Sequence, residues 1–387
     1  MRIVADENIP LVADFFGRYG EVVLRQGRSI SSSDLADADV LLVRSVTRVD
    51  GNLLAGSPVR FVGSATIGTD HIEMENLEKR GITFAHAPGS NAESVNEYVL
   101  AALITVAARK GVALRGCTVG IIGFGHIGRR LAARLRAFGC RILLNDPPLA
   151  EEAEKEGRLH DFVSLEKLLT SSDIVSIHVP LTTSGPHRTR HLIDASRLKM
   201  ISRGAWLVNT SRGGVVDSGA LLNDIDRLGA VVLDVWENEP NPDMRLVEKV
   251  EIATPHIAGY SYEGKVAGTR MLSDAFARFL GTKIASARHE VGRTMRLVPP
   301  DPRLPEMDWL YQAVSRMYPI SEDDRRMRNV GGLMWAEHFT RLRRDYPVRR
   351  TFAAYSIEPA HLPMSLMDVS VKGLTITRES RPVAEGA

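Results

Sequence analysis

Cysteine is nearly missing. Cys117 and Cys140 are the only two in 387 residues, and neither sits in a CxxC pair, so a disulfide framework is excluded and no metal site is expected. An excess of charge of one sign is missing too. Lys and Arg total 49 against 47 Asp and Glu, a net charge of +2, which gives no general affinity for nucleic acid or an anionic membrane. There is no signal peptide and no apolar run of membrane-spanning length, so the expectation is a soluble, cytoplasmic protein. Short-period repeats and long low-complexity tracts are also absent. What the chain does have is apolar content, 44% over its length, enough for two or three domains with real cores.

The most informative stretch runs from Thr118 to Asp146, TVGIIGFGHIGRRLAARLRAFGCRILLND. Val119 to Ile122 suit a buried strand. Ile127, Leu131, Leu135 and Phe138 then recur at helical spacing until Gly139, and Ile142 to Leu144 form a second strand that closes on Asp146. Between the first strand and the helix lies Gly123-Phe124-Gly125-His126-Ile127-Gly128. Dinucleotide binding needs this order. Gly123 permits the turn, Gly125 lets the backbone approach a pyrophosphate, and Gly128 lets the helix pack on the strand. The helix N-terminus offers free N–H groups and a partial positive charge. Asp146, 18 residues past Gly128, can accept bonds from the ribose hydroxyls and would repel a 2′-phosphate, so NAD is expected rather than NADP.

Before this stretch, Ile3-Val4, Val22 to Leu24, Val40 to Val43, Val59 to Val62 and Ile82 to Phe84 read as strands, with helical candidates at Leu11 to Tyr19 and Ile72 to Lys79. The alternation implies a parallel sheet covered by helices. Ligands bind at the carboxyl ends of such strands, which draws attention to three polar turns: Arg44 to Thr47, Ser64 to Asp70, and Ala87 to Asn91. Each offers anion-binding groups, although Ser and Thr there could equally cap the next helices. His71 reads as structural. Asn91 to Lys110 reads as one long helix with a buried stripe of Val95, Val99, Ala102, Leu103, Val106 and Ala107.

After Asp146, Pro147-Pro148 is expected to break regularity, and Glu151, Glu152, Glu154 and Glu156 to form a solvated face. Strand-like runs follow at Ile174 to Val179, Ala205 to Val208, Val231 to Val235 and Ile252 to Thr254, completing six for a doubly wound sheet. Their ends present polar groups: Asn209 to Gly214, Asp234 to Pro240, and Pro255 to Tyr260. Removing a hydride from an H–C–O–H carbon requires a group that takes the hydroxyl proton, and histidine titrates nearest neutrality. A carboxylate beside it fixes its tautomer and favours its protonated form. A guanidinium can hold a substrate carboxylate through two parallel bonds. Alone, each such residue could be a surface ion pair, a loop acid or a core histidine. Together, at consecutive strand ends after a dinucleotide fingerprint, they point to an active site.

The motifs GFGHIGRR, HVPLT (His178 to Thr182), NTSRGGVVD (Asn209 to Asp217), DVWENEP and TPHIAGY, in that order, resemble the D-isomer-specific 2-hydroxyacid dehydrogenases over roughly residues 1 to 281. The resemblance implies catalysis by Arg212, Glu239 and His256, with Arg212 on the substrate carboxylate, His256 as general acid/base and Glu239 as its partner. Glu237 does not match the family spacing. Cofactor contacts implied are Gly123, Gly125, His126, Ile127, Gly128, Asp146, Val179, Thr210, Ser211, Arg212, Asp234 and Gly259. VADENIP, VRSVT, FVGSATIGTDH, APGSNAESVNEYV, DVWENEP and HIAGYSYEGK resemble more narrowly a subgroup that oxidises a phosphorylated four-carbon 2-hydroxy acid in pyridoxal phosphate (pyridoxine) biosynthesis. That implies Ser45, Thr66 and Tyr260 as substrate contacts, and we add Arg44 for the phosphate. Competing readings are another member of the family, such as one acting on 3-phosphoglycerate, and an NAD-sensing, partner-binding protein of the same fold.

The expected architecture is α/β. A Rossmann-type doubly wound domain (96–257) is inserted into a flavodoxin-like substrate-binding domain (1–95 and 258–289), with the helix from Ser261 to Leu280 returning to the latter. A proline-rich linker at Pro299 to Pro305 then leads into a small α+β C-terminal domain (290–387), with helices at Leu310 to Met317 and Leu333 to Leu342 and a strand at Thr351 to Ile357. Eight arginines fall between Arg325 and Arg350, interleaved with acids. An oligomerisation surface fits them better than nucleic-acid binding, and the narrower resemblance implies a homodimerisation domain. Residues 359–387 match no pattern, and a disordered tail is expected after Arg378.

Overall fold

A computed structural model describes residues 1–284, 294–332, 334–357 and 377–378. The chain runs β1 (Arg2–Asp6), α1 (Val12–Phe16), β2 (Glu21–Arg25), β3 (Val40–Val43), β4 (Phe61–Ser64), α2 (Met74–Lys79), β5 (Thr83–His86) and α3 (Ala92–Lys110). It continues through β6 (Thr118–Ile122), α4 (His126–Ala137), β7 (Arg141–Asn145), α5 (Pro147–Lys155), α6 (Leu165–Ser171), β8 (Ile174–Ile177), α7 (Ala195–Met200) and β9 (Trp206–Asn209). Then come α8 (Ser218–Asp224), β10 (Ala230–Leu233), α9 (Met244–Lys249), β11 (Ile252–Ala253) and α10 (Tyr262–Phe279). The described C-terminal elements are β12 (Met295–Arg296), α11 (Glu306–Met317), α12 (Ile320–Arg328), α13 (Trp335–Arg344), β13 (Tyr355–Ile357) and β14 (Thr377–Arg378). The expectations for residues 359–376 and 379–387 lie outside the described residues.

The chain forms two compact units, one of Met1–Glu93 with Tyr260–Arg293 and one of Ser94–Gly259 with Thr294–Ala387. The first is built on a five-stranded sheet, all parallel, in the order β2-β1-β3-β4-β5. This is the flavodoxin-like order. It sets the carboxyl ends of β3, β4 and β5 side by side, so the turns at 44–47, 64–70 and 87–91 share one edge. α10 returns to this unit and buries Val266, Leu272 and Phe276 against Ile3, Phe16, Val40 and Phe61.

The second unit carries a six-stranded parallel sheet, β11-β10-β9-β8-β6-β7. Direction of travel reverses at β6, so the switch point lies between β6 and β8, where ligands bind. A short seventh position is present as well: Leu144 of β7 bridges in parallel to Phe162, a contact that sequence pattern did not reveal. α3 is buried all round rather than along a stripe. Leu100, Ala101 and Ile104 are fully buried together with the expected positions, in one core with Trp309, Leu310, Ala313 and Val314 of α11 and with Phe352. Such a helix is a core element, and C-terminal residues cover it.

Two local expectations need correction. Pro147 and Pro148 do not interrupt the chain but open α5, where proline's missing N–H is harmless; Asp146 caps that helix by accepting from the Leu149 amide at 3.2 Å. α12, with its run of charged residues, escaped the periodicity reading altogether.

Candidate active site

The glycine turn is shaped by close backbone contacts. Gly123 has φ 93°, and a Cβ there would lie 2.7 Å from the His178 carbonyl oxygen and 2.9 Å from Val179 Cγ1. A Cβ on Gly128 would lie 2.0 Å from the Gly123 oxygen, so α4 can sit on the turn only through glycine. Gly125, at the N-cap of α4, has open space at its Cβ position. His126 and Ile127 open the helix, whose first turn leaves its N–H groups for a ligand. Asp146 Oδ2 accepts from the Phe124 amide at 2.7 Å while Oδ1 caps α5. The half-exposed carboxylate keeps lone pairs for ribose hydroxyls. Open space at Gly125, a free helix terminus and a carboxylate at the end of β7 fit a dinucleotide.

The loop after β9 is organised by Asn209, a residue the sequence places at the strand end but to which it assigns no role of its own. Its Oδ1 accepts from the Ser211 amide at 3.0 Å and hydroxyl at 2.9 Å, and its Nδ2 donates to the Arg212 carbonyl at 3.0 Å. An Asn closing a strand and bonding its own next turn was the available signal. Thr210 and Ser211 are buried, and Thr210 Oγ1 lies 3.5 Å from Nδ1 of half-buried His178. Arg212 is half-buried, with Nη1 donating to the Ser211 carbonyl at 2.8 Å. A Cβ on Gly213 would fall 1.9 Å from the Trp236 backbone, so this loop packs directly on the next one.

On that next loop two acids diverge. Glu239 Oε2 meets His256 Nδ1 at 2.8 Å, and its Oε1 accepts from the Trp236 amide at 2.9 Å. Glu237 instead meets His191 Nε2 at 2.7 Å and the Ser218 amide at 3.0 Å. Between them Asn238 has φ 61°, a left-handed conformation that Asn tolerates. Burial raises the pKa of the Glu239 carboxyl, but the His256 imidazole and the Trp236 amide outweigh this and hold it below the ordinary carboxylate value. With Nδ1 engaged, His256 Nε2 is the ring nitrogen left for chemistry.

Asp234 was expected to touch the cofactor. Its side chain is fully buried. Oδ1 accepts from the Thr254 hydroxyl at 2.7 Å and the Ile257 amide at 2.8 Å, and Oδ2 accepts from the Ala258 amide at 2.9 Å. Burial pushes this carboxyl up, opposed by the nearby imidazole and these donors. Asp234 therefore lies beneath the His256 loop and secures it. Gly259, half-buried, ends the same loop.

The remaining candidates belong to the first unit. Ser45 is exposed at the end of β3. Thr66 Oγ1 lies 2.8 Å from Ser64 Oγ, which in turn meets His71 Nε2 at 2.9 Å. Burial lowers the His71 pKa, consistent with a structural histidine. Arg44 is held in two-point fashion by buried Asp6, Nε to Oδ2 at 2.9 Å and Nη2 to Oδ1 at 3.3 Å, so its charge is already balanced. Lys265 Nζ stands 4.8 Å above the Tyr260 ring.

A doubly wound dinucleotide sheet with Arg, Glu and His on the loops that follow β9, β10 and β11 defines a nicotinamide-dependent dehydrogenase. Residues 89–258 match the family model of the D-isomer specific 2-hydroxyacid dehydrogenase NAD binding domain, and residues 303–368 match a domain of unknown function, DUF3410. An erythronate-4-phosphate dehydrogenase of Salinibacter ruber is 48% identical over 97% of this chain and 98% of its own length. One of Chromohalobacter salexigens is 44% identical over 92% of this chain and 94% of its own. Among solved structures, D-lactate dehydrogenase from Aquifex aeolicus, complexed with NAD and lactic acid, superposes with a TM-score of 0.60 at 25% identity, covering 73% of this chain and 96% of its own. The chain belongs to the D-isomer-specific 2-hydroxyacid dehydrogenase family.

Proposed function

We propose that this enzyme oxidises 4-phospho-D-erythronate at C2 to 3-hydroxy-2-oxo-4-phosphooxybutanoate, as an erythronate-4-phosphate dehydrogenase of pyridoxal phosphate biosynthesis. The observation that carries the chemistry is the Glu239–His256 pair at 2.8 Å; the likeness to relatives over 97% of the chain supports the substrate. NAD, when bound, supplies the hydride acceptor. Gly123, Gly125, His126, Ile127 and Gly128 would hold its pyrophosphate, Asp146 its adenosine ribose, and Val179, Thr210, Ser211, Arg212 and Gly259 the rest. His256 Nε2 takes the C2 hydroxyl proton while Glu239 stabilises the resulting imidazolium. Arg212 orients the substrate carboxylate. Ser45, Thr66, Tyr260 and Arg44 serve substrate recognition in the first unit.

We read the protein as a cytoplasmic homodimer that binds no nucleic acid. Among the described residues no helix is long and apolar enough to cross a membrane. Exposed Val298, Met334 and Val348 in the C-terminal segment favour a contact between copies. Several arginines there are internally paired, Arg325 and Arg326 with Glu322, Arg328 with Asp324 and Arg344 with Asp345, which disfavours a phosphate-backbone surface. The deciding experiment is NADH formation by the purified protein with 4-phosphoerythronate, 3-phosphoglycerate and D-lactate side by side. Preferred turnover of either of the last two would overturn the substrate, and no turnover of any would overturn the enzyme.

A further inference from the structure

His256 has φ 57°, in the left-handed region that a residue with a Cβ adopts at a cost. Such a conformation persists only where the surroundings over-determine it. Part of that constraint comes from β10 and the residue after it. The His256 amide donates to the Asp234 carbonyl at 2.7 Å, and the next two amides donate to the Asp234 carboxylate. This accounts for the amides of His256, Ile257 and Ala258. The Ala258 carbonyl is taken by a residue 91 positions away: Arg349 Nη2 donates to it at 2.7 Å.

Arg349 lies in the stretch that matches the domain of unknown function. It is buried, and the same Nη2 donates to the Ser94 carbonyl at 3.1 Å, in the first turn of α3. The guanidinium carbon stands 4.4 Å above the Tyr318 ring, a favourable seat for a cation. Nearby, the Phe352 amide donates to Glu97 Oε1 at 2.7 Å. The same segment grips the residues just before His256. Asp324 Oδ1 accepts from the Ala253 amide at 2.7 Å, on the edge strand β11, and Arg328 Nη2 donates to the Val250 carbonyl at 2.9 Å. Backbone groups at 250, 253 and 258, on both sides of the histidine, are thus bonded by charged side chains of one C-terminal segment. Bonds to ionised groups are the strong ones.

We infer that the C-terminal segment braces the catalytic-histidine loop, with Arg349 as a positioning residue that fixes the chain immediately after His256. Arg349 acts through Ala258 and α3, and touches neither substrate nor cofactor. The inference rests on the reading of His256 as the general acid/base. It gives the segment a task within each protomer, separate from contact between copies.

The test compares wild type with Arg349→Met and Arg349→Lys in the full-length protein. The NADH-formation assay with 4-phosphoerythronate is normalised to cofactor sites counted by NADH fluorescence. Displacement of a catalytic group by about 1 Å lowers turnover by about 100-fold, so Arg349→Met should lose kcat on that order. KM and NADH affinity should stay within about threefold. Arg349→Lys keeps the charge but not the planar fork and should fall between. Hydrogen–deuterium exchange over residues 253–260 gives a readout free of turnover: the Ile257 and Ala258 amides should exchange at least tenfold faster in Arg349→Met. Unchanged exchange there, or a full kcat per cofactor site, overturns the brace. If Arg349→Met fails to fold, Arg349→Lys decides, and a wild-type kcat with wild-type exchange in that variant rejects it. An inactive wild type would instead reject the dehydrogenase reading, while the exchange experiment would still judge the brace.

Discussion

Glu239 and His256 face each other at 2.8 Å, whereas Glu237, two residues earlier, is turned away to His191 at 2.7 Å. The two acids should therefore respond in opposite ways to the same substitution. Glu239→Gln removes the charge that stabilises the imidazolium, and kcat should fall about 100-fold, within the usual range for general acid–base catalysis. Glu237→Gln should leave kcat within about twofold while destabilising the fold by about 1 kcal/mol through its weakened bonds. Steady-state kinetics and urea unfolding on both variants check this. Equal loss of kcat would remove the distinction.

Asp146 holds the Phe124 amide as well as the cap of α5, so absolute affinities alone would mix cofactor recognition with local stability. Selectivity separates them. In Asp146→Asn the repulsion of a 2′-phosphate disappears, while only one of the two amide-accepting oxygens remains. The preference for NAD over NADP, measured as a ratio of kcat/KM values, should shrink by roughly tenfold or more, the scale of one lost charge interaction. A ratio left at its wild-type value would place the ribose elsewhere.

Arg44 poses a different problem, because Asp6 is fully buried and already bound to it. Arg44→Met alone would take the guanidinium from buried Asp6 and leave its Oδ1 on the Asn8 amide at 2.9 Å but its Oδ2 without that partner, a change that costs about 1–3 kcal/mol. The pair must be neutralised together. Asp6→Asn with Arg44→Met should recover most of that stability. If Arg44 holds the phosphate, the double variant should raise KM for 4-phosphoerythronate far more than for unphosphorylated erythronate. Equal effects on both substrates would leave the pair with a purely structural role.

These relationships mark where sequence was legible. The glycine turn, the strands and the three strand-end motifs are local, each decided by spacing within a few residues, and Gly123 and Gly128 could be read from that spacing alone, whereas the choice of Glu239 over Glu237 came from the family resemblance. Asp6 and Arg44 are 38 positions apart, and Arg349 meets Ser94 across 255. No periodicity encodes such a meeting. α12 was illegible for another reason. Its sequence ISEDDRRMR buries Ile320, Asp323 and Met327, so one of its three inward positions is an acid, satisfied by the Tyr346 hydroxyl at 2.7 Å. The all-round burial of α3 likewise depends on Trp309 and Phe352, which no local pattern links to it.

His178 offers a test of pH-dependent stability. It is half-buried beside the glycine turn, with Nε2 2.8 Å from Ser176 Oγ, and desolvation pushes its pKa down to about 3. The unfolded chain protonates this histidine near the ordinary value of 6.5. Between those two values the unfolded state binds more protons than the folded one. Stability must then fall as pH falls through that window, by up to about 1.4 kcal/mol per pH unit, and level off above pH 6.5 as far as this group is concerned. His178→Asn removes the titration and leaves a polar group to meet Ser176. It should be less stable than wild type at pH 7.5, yet lose less stability on going to pH 5. Urea unfolding at pH 5, 6 and 7.5 on both proteins measures the difference in slope. Parallel slopes would mean that His178 is not held neutral in the fold.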